Sequence, residues 1–231
     1  MPVLEHWDLR LDADAVLRGQ GADPAILRAR RPRLVEVAAQ ALAEGLDLIR
    51  PKVAFERFEV ESVRHARVRL KGGGELKGEL LAQHMAPAQQ IVALVCTIGS
   101  ELEEHATRVM KTEIVRGLAF YGVGSAAVEA LANAACQHFE DEAAGQGWQT
   151  TIPLNPGMIG WPVEEGQPQI FSLLDSSQIG VHLSQQAIML PLKSLSMIIG
   201  LGPDLDRQGT TCDYCAMRQV CKYQTHYAQL T

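Results

Sequence analysis

Two hydrophobic periods divide the chain. Near the amino terminus apolar and polar residues alternate in Leu4-Glu5-His6-Trp7-Asp8-Leu9-Arg10-Leu11, the pattern of a short strand. Asp12 or Asp14 then caps a brief helix ending near Gly19 and Gly21. Asp23-Pro24 provides an N-cap followed by proline at the first helical position. After Pro32 the period becomes helical. Leu34, Val35, Ala38, Ala41, Leu42, Leu46 and Ile49 share one stripe, and Glu36, Gln40, Glu44 and Asp47 share the other. That arrangement predicts an amphipathic helix on a core, ended by Pro51.

Residues 53–98 return to a period of two. Phe58-Glu59-Val60-Glu61 and Ala66-Arg67-Val68-Arg69-Leu70 alternate as half-buried strands do. Gly72-Gly73-Gly74 supplies a hairpin turn, and Glu75 to Leu81 reads as the return strand. Ile91-Val92-Ala93-Leu94-Val95 is continuously apolar, which predicts a central strand buried on both faces. Ser100 followed by Glu103 reads as a capping box opening a helix. A longer helix spans about Ile114 to Ala144, with Val115, Leu118, Ala119, Val123, Ala126, Ala127, Ala130, Leu131 and Ala134 as its buried stripe. Gly117, Gly122, Gly124 and Ser125 weaken helix propensity there, which is tolerable where another backbone approaches closely. Gly145 and Gly147 stop it. Beyond lie a loop over residues 150–163, a short helix near Ile170–Leu174, and mixed strand and turn residues over 179–202.

These elements make one α+β domain over residues 1–205, with a cysteine-bearing tail over 206–231. Composition agrees with a folded domain: of 231 residues, 47% are apolar and 21% charged. The net charge of −6 speaks against a nucleic-acid partner, and the small cluster Arg28, Arg30, Arg31, Arg33 does not reverse it. The start, with Glu5, His6, Asp8 and Arg10, has no apolar signal region. With no run of about 20 apolar residues, no membrane partner is expected and the expected address is cytoplasmic. In that compartment the five cysteines read as thiols or metal ligands rather than disulfides.

Three of those cysteines fall within ten residues, as Cys212-x2-Cys215-x5-Cys221. Thiolates at this spacing can converge on one metal, because the two-residue gap lets the chain fold around it. An iron–sulfur cluster or zinc both suit the set, with Cys96, His226 or an external group as the fourth ligand. Glu129 is the second candidate. It is the only Asp, Glu, Lys or Arg between Arg116 and Glu140, in a helix of Ala, Gly, Val and Leu. A half-buried carboxylate requires a donor or cation, either from the fold or from a ligand. The third candidate is the loop Asn155, Pro156, Gly157 and Met158, where Pro and Gly fix the path and Gly lets a ligand approach the main chain. Cys96-Thr97-Ile98-Gly99-Ser100 joins a strand end to a helix start, and Cys136 reads as packing. The other histidines show no paired spacing, and neither a nucleophile elbow, a phosphate loop nor a dinucleotide fingerprint occurs. No catalytic side chain is assigned.

The order of several short motifs resembles stand-alone relatives of the activation (reactivation) domain of cobalamin-dependent methionine synthase. The resemblance is carried by Val16-Leu17-Arg18, Cys96-Thr97-Ile98-Gly99 with Leu102-Glu103, Asn155-Pro156-Gly157 and Trp161-Pro162. It continues through Ile179-Gly180-Val181-x-Leu183 and Met189-x-Pro191-x-Lys193-Ser194-x-Ser196 to the three cysteines. It implies a twisted antiparallel sheet flanked by helices, and binding of S-adenosylmethionine. It also implies, with an electron donor, reductive methylation of a cob(II)alamin held by a corrinoid partner. Glu129 matches the family's ligand-contacting carboxylate. Pro153 and Met158 stand where the family's loop carries Arg and Tyr, so a guanidinium and a phenol are missing. Three outcomes are open from this resemblance. One is an activator whose tail cluster relays an electron. Another is a non-catalytic corrinoid-protein adaptor with structural zinc. The third is a pocket between Glu129 and the loop that takes a less charged ligand.

Overall fold

The structure, a computed structural model, describes residues 1–205 and 209–220. The amino-terminal alternation yields only the two-residue strand β1 (Val3–Leu4). Trp7, Leu9 and Leu11 leave the sheet and pack half-buried against its helical side. Asp12 caps α1 (Ala13–Gly19), its carboxylate accepting from the Ala15 amide at 2.7 Å. Asp23 caps α2 (Pro24–Arg30), and α3 (Pro32–Gly45) follows. Ala38, Ala41, Leu42 and Ile49 are buried as expected, but Leu46 is exposed. The chain tightens into a 3-10 turn at Leu46–Leu48, and the changed period carries that residue off the stripe.

Next come β2 (Lys52–Arg64), β3 (Arg67–Leu70) and β4 (Glu75–Lys77), the last two joined through the triglycine turn. All three of those glycines have positive φ, between 83° and 105°, which requires their freedom. The return strand stops at Lys77. Glu79–Met85 form α4 instead, turning Leu81, Ala82 and Met85 inward at helical spacing. Then follow β5 (Gln90–Thr97), α5 (Glu101–Met110), α6 (Ile114–Gly145) and β6 (Gln149–Thr150). The chain continues through α7 (Val163–Leu173), β7 (His182–Leu183), β8 (Met189–Leu190) and β9 (Ser194–Gly202).

One curled antiparallel sheet runs in the order β4-β3-β2-β5-β9-β6, with β1 beside β2. The expected α+β architecture is thus the observed one. β5 lies between β2 and β9 and is buried on both faces, as its unbroken apolar run requires. Val92, Leu94 and Cys96 face a core shared with α1, α3, α5 and α6. Ile91, Ala93 and Val95 face a second core shared with α4, α7 and the loop at Ile152–Trp161. Each fully buried Leu or Ile in these layers contributes about 1.5–3 kcal/mol relative to exposure.

α6 organises the first face. One 18-residue window has a mean hydropathy of 1.3, enough by composition to cross a membrane, yet 56% of that window is buried within the fold. Its glycines mark close approaches. A Cβ at Gly122 would lie 2.7 Å from the Val16 carbonyl oxygen, and one at Gly19 would lie 2.5 Å from the Gly122 carbonyl, so α1 crosses α6 backbone to backbone. The expected stripe needs one correction: Val115 and Leu118 are 52% and 48% exposed. Apolar residues surround the first turns of α6, so period alone does not choose a side, and Phe120 and Val123 take the core. The Ser100–Glu103 capping box is also corrected. Ser100 makes no side-chain cap, and the Glu103 carboxylate accepts from the Leu192 amide at 2.9 Å.

Candidate functional site

The cysteine tail has a defined seat over part of its length. Thr211–Tyr214 form a 3-10 turn capped reciprocally by Thr210 and Asp213, and Asp213 pairs with Arg218 at 3.3 Å. Hydrogen bonds from Thr210 hold the Asp213 carboxyl below its ordinary value. The Cys215 amide donates to the Cys212 carbonyl at 3.3 Å, which brings both half-exposed cysteines onto one turn. This turn docks on the candidate loop. Ile159 donates its amide to the Tyr214 carbonyl at 2.9 Å, and Met158 forms a bridge with Cys215. The Tyr214 ring meets His84 edge-on at 5.0 Å, and burial lowers the pKa of that histidine. Two thiols on a turn suit one side of a tetrahedral sulfur site, for zinc or an iron–sulfur cluster alike. Cys221 and His226 lie outside the described residues. Among the described residues, no group of three His, Cys, Asp or Glu is placed to hold a metal ion.

Cys96 is removed as the fourth ligand. It is fully buried on the α6 side of the sheet, whereas the cysteine turn docks on the other side through Met158. Burial pushes its thiol up to about 12, as expected of a protonated core thiol. Cys136 is core packing as expected, its sulfur 3.5 Å from that of Met197.

The loop itself is anchored on β9. Asn155 donates from Nδ2 to the Ser196 carbonyl at 3.1 Å, and the Ser196 hydroxyl donates to buried Gln167 at 2.8 Å. Gly157 has φ +101°, a conformation that favours glycine, and its amide donates to the Trp161 carbonyl at 2.8 Å. Pro156 packs against α7, where a Cβ at Gly166 would come within 2.9 Å of it. Met158 is only 4% exposed and points into the second core. Asn155, Pro156 and Gly157 therefore form the loop's outer edge, and Met158 forms its root.

Glu129 is half-buried on α6, over the opposite face of the sheet. The two candidate ligand elements thus approach β9 from its two sides, Asn155 at Ser196 and α6 at the residues just before. β6 pairs only with Leu201 and Gly202, and Leu154 with Ile198, so the amino-terminal half of β9 has no strand on that edge among the described residues. One turn before Glu129, Ser125 accepts a hydrogen bond from Lys193 Nζ at 2.9 Å, and the same amine lies 3.2 Å from the centre of the Tyr121 ring. Lys193, Ser125 and Tyr121 are functional candidates that pattern reading passes over. The available signal is the one that singles out Glu129: Lys193 is the only Lys, Arg, Asp or Glu between Asp175 and Asp204.

No family model matches the chain, and neither does any curated protein. Among solved structures, the chain is similar to the crystal structure of the MetH reactivation domain bound to AdoHcy. The TM-score is 0.62 at 17% identity, and the match covers 93% of this chain and 83% of that one. At that identity the likeness speaks to architecture. The chain has the fold of the MetH reactivation domain.

Proposed function

We propose that the protein assists cobalamin-dependent methyl transfer by returning an oxidised corrinoid partner to its active state. The observation that carries this reading is the extent of the fold likeness: it takes in nearly the whole chain, and the matching domain is one that binds AdoHcy. In this reading the open half of β9, between Glu129 and the Asn155–Gly157 edge, receives S-adenosylmethionine. The corrinoid partner presents its cobalt there. One electron reduces cobalt from +2 to +1, the methyl group then passes from sulfur to cobalt, and S-adenosylhomocysteine leaves. Cys212, Cys215 and Cys221 would hold the metal group, and an iron–sulfur cluster held there would supply a low-potential electron. The docking of the cysteine turn on Met158 and Ile159 supports this, since a metal group on that turn would lie beside the Asn155–Met158 loop.

Anaerobic purification tests the reading. Iron together with a broad absorption near ~400 nm marks a cluster, and the protein then accelerates methylation of a cob(II)alamin-loaded partner. Colourless protein with about one zinc per chain, and no effect on cobalt oxidation state, overturns it in favour of an adaptor. Glu129→Ala is expected to weaken S-adenosylmethionine binding about tenfold, the loss of one charge-assisted contact, without altering tail metal content. Calorimetric titration and metal analysis of the variant check this. Equal loss of ligand and metal would mean a damaged fold.

A further inference from the structure

The side chain of Lys193 is nearly enclosed, with 7% exposure. Its stem crosses α6 at Gly124, where a Cβ would lie 3.1 Å from Lys193 Cγ, so glycine there opens the channel the lysine occupies. A lysine amine has three N–H donors. Ser125 takes one, the Tyr121 ring faces the cation, and no acid among the described residues lies within ion-pair distance of it. The field of Glu103 on α5 does reach it, but that carboxylate accepts the Leu192 amide. Enclosing a cation without a neutralising partner is unfavourable in general. A fold that nonetheless holds the amine in place, on a hydroxyl and an aromatic face, has a preformed anion site.

We propose that Lys193 binds the carboxylate of an α-amino-acid ligand laid along α6 between Ser125 and Glu129. Tyr121, Ser125 and Glu129 follow one another at four-residue intervals and so share one helix face. Ser125 and Glu129 are separated by a rise of about 6 Å. Cation and carboxylate in that order complement the zwitterion of an amino acid, its carboxylate toward Lys193 and its ammonium toward Glu129. The adenosyl end then extends toward Asn155 at the open edge of β9. This rests on the reading that the ligand is an adenosyl-sulfur amino acid. It adds the group that recognises the amino-acid end.

The test compares two probes by calorimetry on the full chain: AdoHcy, and 5′-methylthioadenosine, which keeps the adenosyl thioether and lacks the amino acid. Lys193→Met, which retains the apolar stem, is expected to weaken AdoHcy about tenfold to a hundredfold while 5′-methylthioadenosine changes less than about twofold. Ser125→Ala weakens AdoHcy by a smaller factor. Burial brings the Lys193 amine down to about 8, against the raising field of Glu103. Glu103 on α5, whose field reaches the amine, and Tyr121 on α6, whose ring the amine faces, are the ionisable groups beside it. Between pH 7 and pH 9.5 the wild-type preference for AdoHcy therefore falls as the amine loses its proton, and the Lys193→Met variant lacks that component. Unchanged AdoHcy affinity in Lys193→Met overturns the proposal, as does equal weakening of both probes, which would make the lysine a strut between α6 and β9. A wild-type protein that binds neither probe overturns the ligand class as well.

Discussion

On the proposal that the cysteine tail holds a metal group, replacing Cys212 and Cys215 together by serine is expected to empty it while leaving the domain folded. Zinc and iron–sulfur clusters take thiolates, and a serine hydroxyl stays protonated at neutral pH and cannot substitute. Metal held by such sites contributes about 10–16 kcal/mol of apparent binding free energy in zinc-finger peptides, so loss of two ligands should be complete rather than graded. The turn does not depend on sulfur for its shape. Thr210, Asp213 and Arg218 brace it, and the Ile159 to Tyr214 hydrogen bond uses only backbone. The rest of the fold should therefore melt within a few degrees of wild type, since neither core contains Cys212 or Cys215. Elemental analysis of iron and zinc per chain, beside a thermal melt, checks both halves. A variant that keeps its full metal complement moves the site away from the tail. A variant that no longer folds makes the tail a structural staple of the domain.

The legible parts of this chain are those where one physical demand dominates. β5 is unbroken apolar sequence because cores lie on both its faces, and no other placement buries Ile91 through Val95. The triglycine turn is legible because the chain must take positive φ three times in succession. Misreadings occur where two demands compete. Glu103 satisfies a capping pattern with Ser100, but the unpaired Leu192 amide from a distant loop claims its carboxylate, and no local pattern foretells that. Leu4 to Leu11 alternate as a strand does, yet only Val3 and Leu4 find a partner, because they pair antiparallel with Ala54 and Val53 and β2 begins at Lys52, so the following residues run past its end. At the candidate site, the lone charge of Glu129 stands out against its helix. The equally lone charge of Lys193 is masked by the turn residues around it, and its relation to Ser125 and Tyr121 exists only once β9 lies under α6.

The same substitution at two points of α6 is expected to act with opposite sign. At Gly122, alanine places a methyl group 2.6 Å from Gln20 Cγ and 2.7 Å from the Val16 carbonyl oxygen. The side chain of Gln20 can move, but the backbone carbonyl cannot, since it also accepts the Gln20 amide at the end of α1. Relief requires α1 to lift, and Val16 and Leu17, both fully buried, lift with it. Overpacking of this kind costs about 1–3 kcal/mol, more than the up to about 1 kcal/mol that alanine gains over glycine inside a helix. At Gly145 the added methyl meets nothing within 4 Å, and the residue is exposed on the last turn. Only the propensity and unfolded-state terms remain there, and both favour alanine by a few tenths to about 1 kcal/mol. At roughly 2–4 °C per kcal/mol for a chain of this size, Gly122→Ala should lower the melting temperature by several degrees and Gly145→Ala should raise it slightly. Gly19→Ala should resemble Gly122→Ala, because its methyl would strike the Gly122 carbonyl from the other helix. The double variant at Gly19 and Gly122 should lose less than the sum, since one displacement of α1 relieves both contacts. Thermal melts of the four variants decide this, and a stabilised Gly122→Ala would mean that α1 and α6 do not meet backbone to backbone.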